Sequence, residues 1–180
     1  PPYNGASSYV RRELPMKPMR RSKQQLSEAA CREILAQGRE CVLALAASDA
    51  TDGFPYAVPV NYALHESPDG TLHLFIHCAP TGAKLDAIAA DPRVSVCVIA
   101  QGDVVPEKFT TYFKSVIAFG RARLVEDGEA RHAALRALAA KYCPELPEES
   151  TEAEIARFPH TAVIDVTLEH ITGKQCVELL

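Results

Sequence analysis

His77, Cys78, Gly82 and Lys84 stand within the eight-residue run HCAPTGAK, which closes a strand-like alternation and opens a helix-like pattern. A helix N-terminus leaves backbone N–H groups without intrahelical partners, and a nearby ammonium adds charge to them, so the junction suits a phosphate or carboxylate. A lysine in a first helical turn opposes the helix dipole, and an anion bound beside it relieves that conflict. The spacing is not that of a P-loop, which needs Gly-Lys-Ser/Thr after a longer glycine-rich turn.

Other chemistries fit less well. His73 shares a strand face with His77, but four strand residues separate them by roughly 13 Å at about 3.3 Å per residue, too far for one metal ion. No metal site is expected. Cys78 and His77 are adjacent in a strand and point to opposite faces, which excludes a thiol–imidazole pair. Ser115 lacks the flanking glycines of a nucleophile elbow. No GxGxxG fingerprint is present, so no Rossmann site is expected. Glu145, Glu148, Glu149, Glu152 and Glu154 read as a solvated acidic run.

The elements that must hold this junction follow from capping and periodicity. Ser27 caps a helix to about Gln37, with Leu26 and Cys31 placed as a hydrophobic staple and Gly38 at its stop. Cys41–Ala47 is an apolar run suited to a buried strand. Phe54–Leu64 reads as one strand, and its two prolines, Pro55 and Pro59, place it at an edge, a bulge or against a ligand. After a turn over His65–Gly70, Thr71–Cys78 alternates, with Leu72, Leu74, Ile76 and Cys78 on one face and His73, Phe75 and His77 on the other. A helix over Thr81–Ala90 leads to a strand over Val94–Ala100 and a loop over Gln101–Lys108. Thr110–Val125 is a long strand with Gly120 a candidate bulge. Asp127 caps the helix EARHAALRALAAKYC, a short helix is predicted over Glu152–Phe158, and Thr161–Ile171 is a last strand. Hairpins and many short strands predict antiparallel pairing, an α+β, mainly β architecture and a barrel.

Composition narrows the class. With 180 residues, 47% hydrophobic and 23% charged residues, the chain reads as an ordinary globular protein. Its net charge of −4 argues against a nucleic-acid partner. The six cysteines have no metal-ligand spacing and read as reduced structural thiols, which points to the cytoplasm. No apolar run has the roughly 18 residues of a membrane span, and no signal-peptide pattern is seen. Residues 1–23 read as a basic lead-in, and 24–180 as the single folded domain.

The segments FPYAVPVNYAL and LFIHCAPTGAKLDAIAADPRVSVCV resemble the core of the pyridoxamine 5′-phosphate oxidase-like superfamily. More narrowly, they are similar to its Nim-type, nitroimidazole-resistance-related branch. That branch typically carries PY-VP-NY, then FH(S/C)A followed by Gly and Lys, then NPRV, and later Y-SV-GFG-A. Tyr112, Ser115, Val116, Phe119, Gly120 and Ala122 meet the last of these, and TAVIDVTLEHITGK is similar to the branch's closing strand. The resemblance runs from about Met19 to Lys174.

The resemblance implies a split β-barrel homodimer with FMN at the subunit interface. The flavin ring would lie against the backbone of Val58, Pro59, Val60, Asn61 and Tyr62. His77 and Cys78 would line the ribityl-phosphate side, Gly82 and Lys84 would hold the phosphate, and Tyr112, Ser115 and Val116 would close the pocket. A pyridoxamine phosphate oxidase carries Arg, Lys and Arg where Val58, Ala63 and Ala83 stand here. Their absence argues against pyridoxamine phosphate as substrate and leaves FAD open beside FMN. The implied activity is that of a flavin-dependent oxidoreductase acting on nitroaromatic or similar electron-poor molecules, with His77 its catalytic candidate. The alternative is a non-catalytic flavin- or haem-binding module, with His77 or His73 as an axial ligand.

Overall fold

The computed structural model describes Met16 and residues 18–179, so most of the basic lead-in over 1–23 lies outside the described residues. The elements run α1 (Glu28–Gln37), β1 (Glu40–Leu45), β2 (Tyr56–Asn61), β3 (Ala63–Glu66), β4 (Leu72–Cys78), α2 (Ala83–Ala90), β5 (Arg93–Val105), β6 (Thr110–Leu124), α3 (Gly128–Tyr142), α4 (Glu148–Arg157) and β7 (Ala162–Gln175). The strands form one antiparallel sheet in the order β2-β1-β5-β6-β7-β4-β3. β2 and β3 are separated by the single residue Tyr62, yet they occupy opposite edges. Only a sheet rolled onto itself meets both conditions, so the fold is a barrel split between those edges.

The interior is set by strand alternation. Leu43, Leu74, Ile76, Val96, Val98, Val116, Ala118, Ile164 and Val166 point inward and are almost fully buried. Each large aliphatic side chain so buried contributes about 1.5–3 kcal/mol. α1 joins this core through Cys31, Ile34 and Leu35. Ser27 caps it as expected, accepting from the Ala30 N–H at 3.2 Å. Gly38 does end α1, but with φ −59° it is not in the left-handed region. Its role is close approach: a Cβ there would fall 2.6 Å from Tyr62 Oη and 2.7 Å from Val98 Cγ1.

Four expectations change most in extent. The strand over Phe54–Leu64 breaks at Tyr62, because that ring turns into the core instead of continuing the pleat. The loop over Gln101–Lys108 is strand as far as Val105, beyond a register shift between Ile99 and Gln101. Its polar stretch is held by backbone pairing with β6, which leaves no burial pattern to read. α4 starts at Glu148, earlier than predicted, with two acidic residues in the turn where the helix dipole favours them. β7 extends to Gln175 through its pairing with β6. The bulge at Gly120 is present, with a register shift between Phe119 and Gly120, and a Cβ there would fall 2.1 Å from the Thr167 carbonyl oxygen.

The outer faces differ. α3 covers that of β4 and β7, burying Ala134 and Leu138 and packing Leu135 beside Phe75 and Val163. Across the other strands the registers align Pro59, Val42, Cys97, Ile117 and Thr172 in one row, and Ala57, Ala44, Ser95, Phe119 and His170 in the next. Val42, Ile99, Ile117 and Phe119 remain exposed there. Among the described residues no helix is long and apolar enough to cross a membrane.

Tyr62 ties this architecture together. Its hydroxyl donates to the Leu35 carbonyl in the last turn of α1 at 2.6 Å. Its N–H donates to the Tyr142 hydroxyl at 3.0 Å, and its carbonyl lies 2.8 Å from the same oxygen. Lys141 Nζ stands 4.0 Å from the Tyr62 ring centroid and donates to the Gly38 carbonyl at 2.5 Å. Burial pushes the Lys141 ammonium below its ordinary pKa and the Tyr62 hydroxyl above it. Tyr62→Phe leaves the Leu35 carbonyl without this donor in a dry site, and is expected to lower stability by about 1–3 kcal/mol in urea denaturation. A loss near zero would show that water replaces the hydroxyl.

Candidate functional site

β4 presents its outward residues in turn. His73 is committed within the sheet: its Nδ1 lies 2.9 Å from Asp165 Oδ1, and Arg123 donates to the other oxygen of the same carboxylate at 2.7 Å. Asp165 is 2% exposed, so these partners offset the cost of burying its charge. The rings of His65 and Phe75 stack beside His73, with centroids 5.3 Å apart. His77, at the end of β4, is exposed, and its ring has no hydrogen-bond partner among the described residues.

Past Cys78 the chain turns into α2. Gly82 is the residue before the helix, at φ +134°, and it supplies no side-chain cap. Residues with a Cβ rarely adopt that conformation. The first N–H groups of α2 are therefore left for a ligand. Lys84 follows in the first turn, half-buried, with no acidic partner among the described residues. Burial raises the pKa of the half-buried Cys78 thiol, and the Lys84 ammonium pulls the other way.

A cleft of about 590 Å³ opens here, with His77, Cys78 and Lys84 on one wall and Arg157, Phe158 and His160 on the other. Among the described residues no carboxylate lines it. A second cavity of about 750 Å³ shares His77 and Phe158 with the first. Its walls are mainly apolar, from Leu135, Leu138, Tyr142 and Ile155, with Arg39 and Asn61 at the β2 end. His77 thus stands where a basic cleft meets an apolar cavity.

The structure gathers part of the sequence-derived set. His77, Cys78 and Lys84 share the first cleft, and Asn61 joins His77 in the second cavity. Val58, Pro59 and Val60 lie along the edge strand β2. Tyr62 is fully buried, and its N–H is committed to Tyr142. On β6, Val116 faces the barrel core with no exposure, in phase with Ala118 and Ala122. Its side chain lines neither of these two cavities. Ser115 points to the opposite face, between Ile99 and Lys174, and the Tyr112 hydroxyl takes a hydrogen bond from Lys108 at 2.6 Å. Neither lines a cavity with His77.

Arg157, Phe158 and His160 escaped the sequence reading. Their signal is the stretch RFPHT, basic and aromatic just before a strand, overshadowed by the acidic run ahead of it. That run is not simply solvated. Glu152 lies 2.6 Å from His132 Nε2, and Glu148 pairs with Arg136, which fastens α4 to α3. α4 buries no residue of its own, so these pairs and the Arg131 bond to the Pro159 carbonyl, at 2.5 Å, hold the far wall in place.

A family model described as pyridoxamine 5′-phosphate oxidase matches residues 27–175. This chain belongs to that family. No curated protein matches it. Among solved structures, it is similar to a candidate 5-nitroimidazole antibiotic resistance protein of Bacteroides thetaiotaomicron. The TM-score is 0.67 at 21% identity, over 84% of this chain and 86% of the other. It is also similar to an FAD-binding protein of Mesorhizobium loti, with TM-score 0.59, 24% identity and coverage of 85% and 97%. An FAD and haem binding protein of Mycobacterium smegmatis matches with TM-score 0.64 and 20% identity, over 86% and 74% of the two chains. Against the family pattern, Ala63 is 3% exposed, so a lysine there would have no room without repacking.

The proximity of Lys84 and Cys78 can be measured chemically. Lys84→Ala removes the charge that favours the thiolate, so Cys78 is expected to alkylate more slowly at pH 8, read residue by residue in a mass spectrometer. An unchanged or faster rate would place the ammonium elsewhere.

Proposed function

We propose that this chain binds a flavin nucleotide, FMN in the first instance with FAD the open alternative. It would act as a Nim-type flavin-dependent oxidoreductase on nitroaromatic or similarly electron-poor molecules. The observation that carries this reading is the half-buried Lys84 at the start of α2, where no side chain caps the helix, facing a cleft with no carboxylate and with no acidic partner for Lys84 among the described residues. That donor set suits a phosphate. Family membership supports the same reading. Lys84 and the α2 amides would hold the phosphate, and His77 and Cys78 would line its approach. Val58, Val60 and Asn61 would offer the β2 edge to the ring, since Pro59 has no N–H and that of Tyr62 is taken.

When bound, the flavin would supply the electron pair that the side chains here lack. The chain's own contribution is to orient it and to exclude water with the apolar cavity. His77 would hold or pass a proton at its free imidazole nitrogen. A second copy would cover the row Val42, Cys97 and Ile117 and bring Tyr112 and Ser115 toward the flavin. The exposure of that apolar row supports a homodimer. A non-catalytic flavin or haem module is the second reading, favoured by the His77 ring having no hydrogen-bond partner among the described residues.

A visible spectrum of the purified protein separates these readings: flavin bands are expected, a Soret band would favour haem, and a colourless chain that takes up neither would overturn both. With flavin bound, anaerobic bleaching by NAD(P)H followed by reoxidation with a nitroaromatic is expected, and failure to turn over would leave the module. Lys84→Ala should weaken FMN by about 1.5–3 kcal/mol and riboflavin much less. Equal losses would remove the phosphate role. Ile117→Arg should run at the mass of one chain in light scattering, against two chains for the wild type. A monomeric wild type would refute the dimer.

A further inference from the structure

Lys84 is only half of the charge around the cleft. Arg157, at the end of α4, lines the opposite wall, with His160 three residues on. Two basic side chains, Lys84 and Arg157, thus stand on opposite walls of a cavity with no carboxylate among its described walls. An anion in this cleft would have a basic side chain on either wall. In contrast, Glu154 turns to the second cavity. Its nearest oxygen stands 3.6 Å from Arg157, and both side chains are mostly exposed. Such a pair is weak, so the guanidinium can leave it readily. The Phe158 ring, 5.2 Å from the guanidinium carbon, offers a platform that restricts where the fork can point. The Pro159 carbonyl bonded to Arg131 fixes the turn that carries His160.

We infer that Arg157, with His160 beside it, forms the second half of a two-walled phosphate clamp whose first half is Lys84 and the start of α2. The ligand class is an organic phosphate, either the terminal phosphomonoester of FMN or the diphosphate of FAD. This deepens the flavin reading and rests on it. An arginine suits the position because its planar fork can grip two phosphate oxygens at once, whereas Lys84 acts as a point charge. An imidazole at His160 can donate from one ring nitrogen in either protonation state. The clamp also joins two elements that share little packing, α2 and α4, so ligand binding would draw the α4 wall toward the barrel.

The test is calorimetric titration of the full chain and its Arg157→Gln and Arg157→Lys variants with FMN, FAD and riboflavin. Arg157→Gln is expected to weaken FMN about tenfold and to leave riboflavin within about twofold, while Arg157→Lys, which keeps the charge but loses the fork, restores only part of the affinity. FAD binding that suffers the same loss identifies the diphosphate as the clamped group. FAD that binds poorly to every form identifies the terminal phosphate. No loss for FMN, or an equal loss for riboflavin, overturns the clamp while leaving the flavin reading intact. If no flavin binds, that reading falls, and inorganic pyrophosphate tests the cleft alone. Pyrophosphate binding that Arg157→Gln weakens supports the clamp, and its absence in the wild type overturns it.

Discussion

Barrel closure at Tyr62 is the constraint on which the rest depends. One residue must connect the two edges of a seven-stranded sheet, so the chain has no slack there. The side chain anchors that crossing to α1 through the Leu35 carbonyl, and its backbone fastens it to α3 through Tyr142. α3 in turn carries α4 by ion pairs, and α4 ends in the far wall of the basic cleft. A buried hydrogen-bonded node therefore sets the distance between two walls that the sequence places some seventy residues apart.

Electrostatics divides the two cavities. The cleft gathers Lys84 and Arg157 without a carboxylate among its described walls, while the neighbouring cavity is mainly apolar and shares His77 with it. This asymmetry also bears on the charges missing at Val58, Ala63 and Ala83. Ala63 sits in the core, where a lysine would need a partner and space. The positive charge here lies instead on α2 and α4, at helix ends where long side chains reach the cleft without crossing the core.

Much of the fold was legible because local rules and tertiary packing agree. Ser27 and Asp127 cap the helices they were expected to cap, and the alternation of β4 separates Leu72, Leu74 and Ile76 from His73, Phe75 and His77. Legibility failed where burial is absent or pattern misleads. The β5 extension to Val105 is mostly exposed and held mainly by backbone pairing with β6, and α4 buries no side chain, so neither leaves an apolar period. At Tyr62 the two prolines drew attention to an edge upstream, and nothing local marked a corner whose partner is on a distant helix.

The sequence by itself located the junction of β4 and α2, because strand phase, a glycine at the turn and a first-turn lysine are all local in the chain, while the structure moved the helix start from Thr81 to Ala83 and put Gly82 before it at positive φ. It also determined the family, through the order of its motifs. Only the tertiary structure decided what faces that junction. Arg157 and His160 arrive there because the rolled sheet and the α3–α4 ion pairs bring the far wall in, and no local pattern encodes a distance set by packing. Tyr112 and Ser115 show the same limit from the other side. Strand alternation points Ser115 to the outer face, and the fold of one chain leaves both residues away from the cleft that holds Lys84.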